Sequence, residues 1–115
     1  MTHNEKREYL IKALLSEIPQ YSDMKIPDNE DEQKRLLRSL MNIRSPRPIS
    51  DEFLKVQDEY LSEEVEIKGV IDSASLPVSS LDSRLVLWRG DITTLKIDAI
   101  VNAANSALRG CFVPC

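Results

Sequence analysis

The sequence has few of the residues that mark fibrous, linker or membrane-spanning chains. It contains three glycines and six prolines in 115 residues, which excludes a collagenous or linker-like chain. No apolar run approaches the roughly 20 residues that a membrane span needs. Residues 1–10, MTHNEKREYL, also lack the apolar core of a signal peptide. We therefore expect a soluble, cytoplasmic protein without a membrane partner.

An excess of positive charge is missing as well. The chain has 19 acidic and 15 basic residues and a net charge of −4, so its charge gives no reason to expect binding to nucleic acid. Hydrophobic residues make up 42% of the sequence and charged residues 30%, which is typical of a globular protein. The length predicts one small domain with a modest core.

Cysteine is scarce and confined to the C-terminal end, at Cys111 and Cys115. The three residues between them would allow a small disulfide loop, but a reducing cytosol argues against one. As metal ligands the pair would supply two of the four that structural zinc usually takes. Taken alone, the two cysteines indicate free thiols.

Residues 1–72 are predicted to be helical, residues 73–83 to form a connector, and residues 84–115 to begin a second region. The three predicted helices run from Thr2 or Asn4 to before Pro19, from residues 27–29 to before Pro46, and from Ser50 to about Glu64. Polar residues at these starts can cap free backbone N–H groups. Residues 65–71, VEIKGVI, alternate like a strand yet would also continue the third helix as far as Gly69, so both interpretations stay open.

Apolar residues recur at three- and four-residue steps in each predicted helix and define its buried face. They are Leu10, Ile11, Leu14, Leu15 and Ile18 in the first helix, Leu36, Leu37, Leu40, Met41 and Ile43 in the second, and Phe53, Leu54, Val56, Tyr60 and Leu61 in the third. His3 is assigned no functional role, and Trp88 is expected to serve the core.

After the connector the pattern changes from helical to extended. Residues 85–88 and 99–101 predict two buried strands, each ending in a polar turn, at residues 90–93 (GDIT) and 102–105 (NAAN). Folds that combine helices with parallel strands present their ligand-binding groups at such strand ends. This is therefore the candidate site of the chain.

Each polar residue of the candidate site has a functional and a purely structural interpretation. Asp91 follows Gly90, a residue that lets the backbone turn sharply, and would accept from an exocyclic amino group such as that of adenine. The same carboxylate could instead cap the turn at residues 93–94. Asn102 and Asn105 could fix a ribose hydroxyl or a water, or could simply favour a turn.

The two motifs together resemble the opening of a macrodomain, an ADP-ribose-binding fold of three α/β/α layers. They are WRGDIT at residues 88–93 and DAIVNAAN at residues 98–105. The continuation GCFVPC at residues 110–115, with the helical N-terminal extension, resembles the zinc-dependent microbial branch. The implied fold class is α/β: a helical extension followed by the first strands of a macrodomain, truncated. Members of that branch remove ADP-ribose from proteins, and some are linked with sirtuin-class transferases that modify lipoyl-carrier proteins.

The resemblance implies a role for five residues. Asp91 would accept from the adenine amino group and the backbone N–H of Ile92 would contact the ring. Asn102 would bind substrate as well. Asn105 would bind the distal ribose next to the scissile glycosidic bond, which makes it the catalytic candidate. Cys111 would be the first ligand of zinc.

Zinc would lower the pKa of a bound water to about 7 or orient the distal ribose. In the branch, Pro114 is followed by one variable residue, then a His, another residue and a second ligand Cys, so Cys115 takes the variable position. The other ligands, an acidic residue and the diphosphate loop are expected beyond Cys115, and the two strands are not sheet neighbours in that fold. The 115-residue chain is therefore expected to be inactive alone.

The resemblance and the helical N-terminal region leave three functions open. The first is a zinc-dependent protein-ADP-ribose hydrolase, whose partners would be ADP-ribose and an ADP-ribosylated protein. The second is a reader module that binds ADP-ribose without hydrolysing anything. The third is a non-catalytic helical interaction fragment.

Overall fold

The chain folds as two units, Met1–Gly69 and Val70–Cys115, in a computed structural model that describes residues 1–107. Three helices make up most of the first unit. They are α1 (His3–Ser16), α2 (Glu30–Ile43) and α3 (Asp51–Lys68). A short 3₁₀ turn, Pro19–Tyr21, follows α1. None of the described helices has the length and apolarity that would let it cross a membrane.

Each helix begins after a polar residue that caps it, as the sequence predicts. The side chains of Thr2, Asn29 and Ser50 each accept a hydrogen bond from a backbone N–H three residues later. Such a bond satisfies one of the N–H groups that the first helical turn leaves without a partner. The side chain of Glu5 in turn accepts a hydrogen bond from the backbone N–H of Thr2, which completes a capping box.

The predicted end of the third helix, near Glu64, is wrong. Helix α3 continues to Lys68 and ends at Gly69, whose φ of 91° suits glycine and whose N–H bonds to the carbonyls of Val65 and Glu66. No glycine or proline interrupts the chain before that point, so the helix ladder continues. Of the two interpretations of residues 65–71, the helical one therefore holds up to Lys68.

The core of the first unit lies between α1 and the other two helices, because α1 packs against both. Leu10 and Ile11 of α1 are fully buried. The other buried apolar residues are Leu14, Leu15, Leu37, Leu40, Phe53, Val56 and Tyr60, all of which the sequence pattern predicts.

Three residues predicted for this core are exposed instead. Ile43 is 61% exposed, Leu54 41% and Leu61 44%. Leu54 and Leu61 lie two turns apart on one side of α3, about 100° around the helix from Phe53. The apolar arc of α3 is therefore wider than the face that α1 covers.

A buried arginine joins α1 to α2. Arg7 is 2% exposed, and its Nε donates to Oε1 of Gln33 at 2.8 Å while Nη2 donates to Oδ1 of Asn4 at 3.0 Å. Nη1 lies 3.5 Å from a carboxylate oxygen of Glu30. Gln33 in turn donates to the carbonyl of Pro27 at 2.7 Å. These partners offset part of the cost of burying the guanidinium, whose Nη1 has no hydrogen-bond partner among the described residues.

A second polar cluster joins the start of α1 to the end of α3. The His3 ring stacks on Tyr60 with centroids 4.6 Å apart, and its two nitrogens lie 2.6 Å from Glu63 and 2.7 Å from Glu64. Lys6 donates to the other oxygen of Glu63 at 2.5 Å. Hydrogen bonds from Lys6 and then from His3 hold the pKa of the Glu63 carboxyl below its usual value of 4.5. His3, a lone residue in the sequence, thus has a structural role.

The second unit is built around a short parallel pair of strands. Strand β1 (Ile71–Asp72) pairs with β2 (Leu95–Lys96), with Ile71 opposite Leu95. A 3₁₀ turn, Ser73–Ser75, follows β1, and another, Ile92–Thr94, precedes β2. The helices and the parallel strand pair confirm the predicted α/β class. The three-layer arrangement of a macrodomain stays a prediction.

The positions predicted for the two strands are wrong. Residues 85–88 and 99–101 are not in strands, and Leu87 and Val101 are each 97% exposed. An apolar run indicates a tendency to be buried, but a strand forms only where a second strand pairs with its backbone. In the described part of the chain neither run has such a ladder.

We expect Leu10→Ala to lower the free energy of unfolding of the first unit by about 2–5 kcal/mol, because it leaves a cavity where α1 meets its neighbours. Urea denaturation followed by far-UV circular dichroism measures this. Ile67→Ala, at a position of α3 that is 67% exposed, is the matched control and should change stability by about 0.5 kcal/mol or less. Equal effects of the two substitutions would contradict the position of the core.

We also expect the first unit to lose stability as the pH falls from about 5 to about 3. The pKa values of Glu63 and Glu17 are lowered in the folded chain, the latter by the hydrogen bond from Arg44. Their carboxylates therefore stabilise the fold above the unfolded pKa, and this contribution is lost as they are protonated. The midpoint of urea denaturation, measured at several pH values, should vary less with pH in Glu63→Gln than in the parent. Glu66→Gln, at an exposed position of α3, is the control and should show the pH dependence of the parent.

Candidate functional site

The turn of the first motif is held by Asp91. Its Oδ1 accepts from the backbone N–H of Thr93 at 3.0 Å and from the Thr93 hydroxyl at 2.7 Å. Its carbonyl accepts from the N–H and the hydroxyl of Thr94, at 3.0 and 2.7 Å, and Thr94 is buried. The capping interpretation of Asp91 is thus confirmed.

A cavity of about 410 Å³ lies beside this turn, within the second unit. Its volume falls in the range of about 300–1,000 Å³ that is usual for small-molecule sites. The first motif, strand β2 and the segment after β1 all contribute to its walls. The lining residues are Ser73, Leu76, Val86, Trp88, Gly90, Ile92, Leu95 and Ile97.

A glycine is required at position 90 because the indole of Trp88 lies close to it, and not because its backbone angles favour glycine. Among the described glycines only Gly69 has a positive φ. At Gly90 a Cβ atom would clash with the indole of Trp88, whose Cη2 would stand 2.6 Å away and Cε2 3.0 Å away. The sharp-turn role predicted for Gly90 is therefore replaced by a close approach: the indole lies against this residue because no side chain is there.

Of the described residues predicted for the site, one lines the cavity, while Asp91, its neighbour in the sequence, is not among the lining residues. Ile92 lines the cavity and is 52% exposed. Asn102 and Asn105 are exposed and are not among the residues that line this cavity. The carbonyl of Asn102 accepts from the N–H of Ala104 at 2.9 Å, which makes a tight turn of the kind expected locally for Asn. The ligand-binding and catalytic roles of these two residues stay predictions.

The zinc ligand predicted from the sequence, Cys111, lies outside the described residues, as does Cys115. Within residues 1–107, no group of three or more His, Cys, Asp or Glu side chains could hold a metal ion. The described part of the chain therefore does not supply the ligand set of a zinc site, which typically takes about three protein ligands when catalytic.

Two features of the site have no signal in the sequence pattern. Trp88, expected in the core, is half-buried at the cavity wall. Ser73 and Leu76 belong to the segment interpreted as a connector, yet they form another part of the wall. The hydroxyl of Ser73 donates to the carbonyl of Lys96 at 3.1 Å and so holds this segment to β2.

No family model matches the chain. A protein of Treponema medium named "Protein-ADP-ribose hydrolase" is 55% identical over 117 residues, covering 100% of this chain and 45% of that protein. A protein of the same name from Staphylococcus aureus is 41% identical over 110 residues, with 96% and 41% covered. A Fusarium oxysporum protein named "Probable bifunctional ADP-ribose hydrolase/ADP-ribosyltransferase" is 40% identical over 88 residues, with 69% and 15% covered. The chain thus spans less than half the length of these curated relatives.

We expect Asp91→Ala to speed hydrogen exchange at the Thr93 amide about 2- to 10-fold, because one net hydrogen bond contributes roughly 0.5–1.5 kcal/mol. Asp91→Asn keeps an acceptor oxygen at the same place and should change the rate less. NMR-detected exchange measures both, with Asp98→Ala, at an exposed position, as control. An unchanged Thr93 rate in Asp91→Ala would show that the carboxylate does not hold the turn.

Proposed function

The chain belongs to the family of these protein-ADP-ribose hydrolases, as its motifs predict, and on that premise we propose that it supplies the part of such an enzyme that recognises ADP-ribose. The observation that carries the proposal is the 55% identity along the whole chain, a stretch that contains both motifs. The cavity supports it, because Trp88, Gly90 and Ile92 of the first motif form its walls.

The proposed reaction adds water across the glycosidic bond between the distal ribose and the modified side chain. It releases ADP-ribose and returns the unmodified protein. Asp91 accepts from the adenine amino group and the N–H of Ile92 contacts the ring. Asn102 binds the substrate, and Asn105 binds the distal ribose beside the bond that breaks. A lipoyl-carrier protein as substrate and a cytoplasmic location belong to the same proposal.

The turn geometry explains how Asp91 can serve this purpose. Its carboxylate is already oriented by two hydrogen bonds from Thr93, so it need not lose side-chain freedom when a ligand arrives. A group that is fixed before binding avoids part of the entropic cost of recognition. The capping and recognition roles of Asp91 are therefore compatible, since the first prepares the second.

Zinc is part of the proposal, with Cys111 as its ligand from this chain. When bound, zinc would supply a water of lowered pKa or orient the distal ribose. What the described residues contribute in this proposal is recognition: Asp91 and Ile92 hold the base, and Ile92 lines a cavity whose walls are mainly apolar side chains.

A chimera tests the proposal. The 115-residue chain replaces the matching 117 residues of the Treponema medium protein, which it aligns with along its whole length. We expect the chimera to release ADP-ribose from a modified protein, at a rate measured by the loss of label from the acceptor. Asp91→Ala in the chimera should lower kcat/KM about 10- to 100-fold, because a hydrogen bond to a charged group contributes roughly 1.5–3 kcal/mol.

Asp98→Ala is the matched control, since Asp98 lies in the second motif and is exposed. It should keep the parent rate. A chimera that binds ADP-ribose but releases none would favour the reader function. A folded chimera that neither binds nor releases it would refute ADP-ribose recognition by this chain.

A further inference from the structure

Trp88 is the single tryptophan of the chain, and the described structure places it at the wall of the cavity in the second unit. The rest of the lining is mostly aliphatic: Leu76, Val86, Ile92, Leu95 and Ile97. The indole is therefore the one aromatic surface that this cavity offers to a ligand. Aromatic side chains are the usual partners for the flat face of a nucleobase.

We propose that Trp88, held against Gly90, is the platform on which a purine base stacks in this cavity. The inference rests on the proposed function, because ADP-ribose carries adenine, and it adds a residue to which neither motif assigns a role in binding. Aliphatic side chains suit the two apolar faces of a base but leave its polar edge without a partner. That edge requires a polar group at the rim, and Asp91 immediately precedes Ile92 of the wall.

Gly90 acts as a positioning residue for the platform. A methyl group at this position would meet three carbons of the indole, and the indole would have to move, because it is the more flexible partner. Gly90→Ala therefore displaces the indole while keeping tryptophan in the chain. Trp88→Leu removes the aromatic surface while keeping an apolar side chain. The two substitutions separate the placement of the ring from its presence.

The single tryptophan makes the test direct. Excitation at the red edge of its absorption selects Trp88 against the three tyrosines. The unmodified 115-residue chain is titrated with adenosine monophosphate and, as the matched ligand without a base, with ribose 5-phosphate. We expect saturable quenching by adenosine monophosphate with a Kd on the order of 1 mM, since only the base and its sugar phosphate are held. Ribose 5-phosphate should leave the emission unchanged.

Substitutions at Gly90 and Trp88 give the second part of the test. Gly90→Ala should shift the emission to the red and weaken the binding of adenosine monophosphate about tenfold, which corresponds to 1.4 kcal/mol. Calorimetry at high ligand concentration should show weaker binding to Trp88→Leu, and near-parent binding to Trp88→Phe, which keeps an aromatic ring. Far-UV circular dichroism checks that each variant keeps its helices.

The outcomes separate this inference from the proposed function. Quenching that is linear in concentration and equal to that of free N-acetyltryptophanamide would overturn the platform. An active chimera whose KM is unchanged by Gly90→Ala and by Trp88→Leu would overturn it as well, while leaving the hydrolase proposal intact. Saturable quenching together with an inactive chimera would support the platform and refute the hydrolase.

Discussion

Helix α1 is the constraint on which the first unit depends, because both other helices pack against it. Leu10 and Ile11 have no exposed surface, so their burial requires α2 and α3 to be present at the same time. Polar contacts then fix the arrangement that apolar packing leaves approximate. A hydrogen bond from Arg7 to Gln33 positions α2 against α1. Hydrogen bonds between His3 and the carboxylates of Glu63 and Glu64 position α3. Buried and half-buried polar groups of this kind favour one packing because each needs a particular partner.

The helical unit could be predicted where its determinants are local. Thr2, Asn29 and Ser50 cap helices through contacts that reach only three residues along the chain, so the sequence is sufficient to find them. The exposure of Leu54 and Leu61 could not be predicted in this way. Their periodicity matches that of buried residues, and only the position of α1 decides which part of the apolar arc is covered.

In the second unit the determinants of secondary structure are not local. A strand is specified by its partner, and β1 pairs with a segment far along the chain, so local apolar runs gave the wrong positions. The motifs were nevertheless informative, because residue type and spacing identify a family without any knowledge of the pairing. The family and the capping role of Asp91 could thus be predicted, whereas the cavity could not. Its walls join Ser73 and Leu76 to residues of the first motif.

The close approach of Trp88 to Gly90 shows that these two residues of the first motif have a joint structural role. A local interpretation treats the glycine as a backbone hinge and the tryptophan as core, and so regards them as independent. In the structure the absent side chain of one makes room for the ring of the other, and Asp91 follows directly. A segment of four residues therefore contains both the aromatic wall of the cavity and the carboxylate that holds the following turn. A base presents an apolar face and a polar edge, so on the proposed binding of a base this single turn would provide the complement to both, and the spacing of the motif would be a requirement of the ligand as much as of the fold.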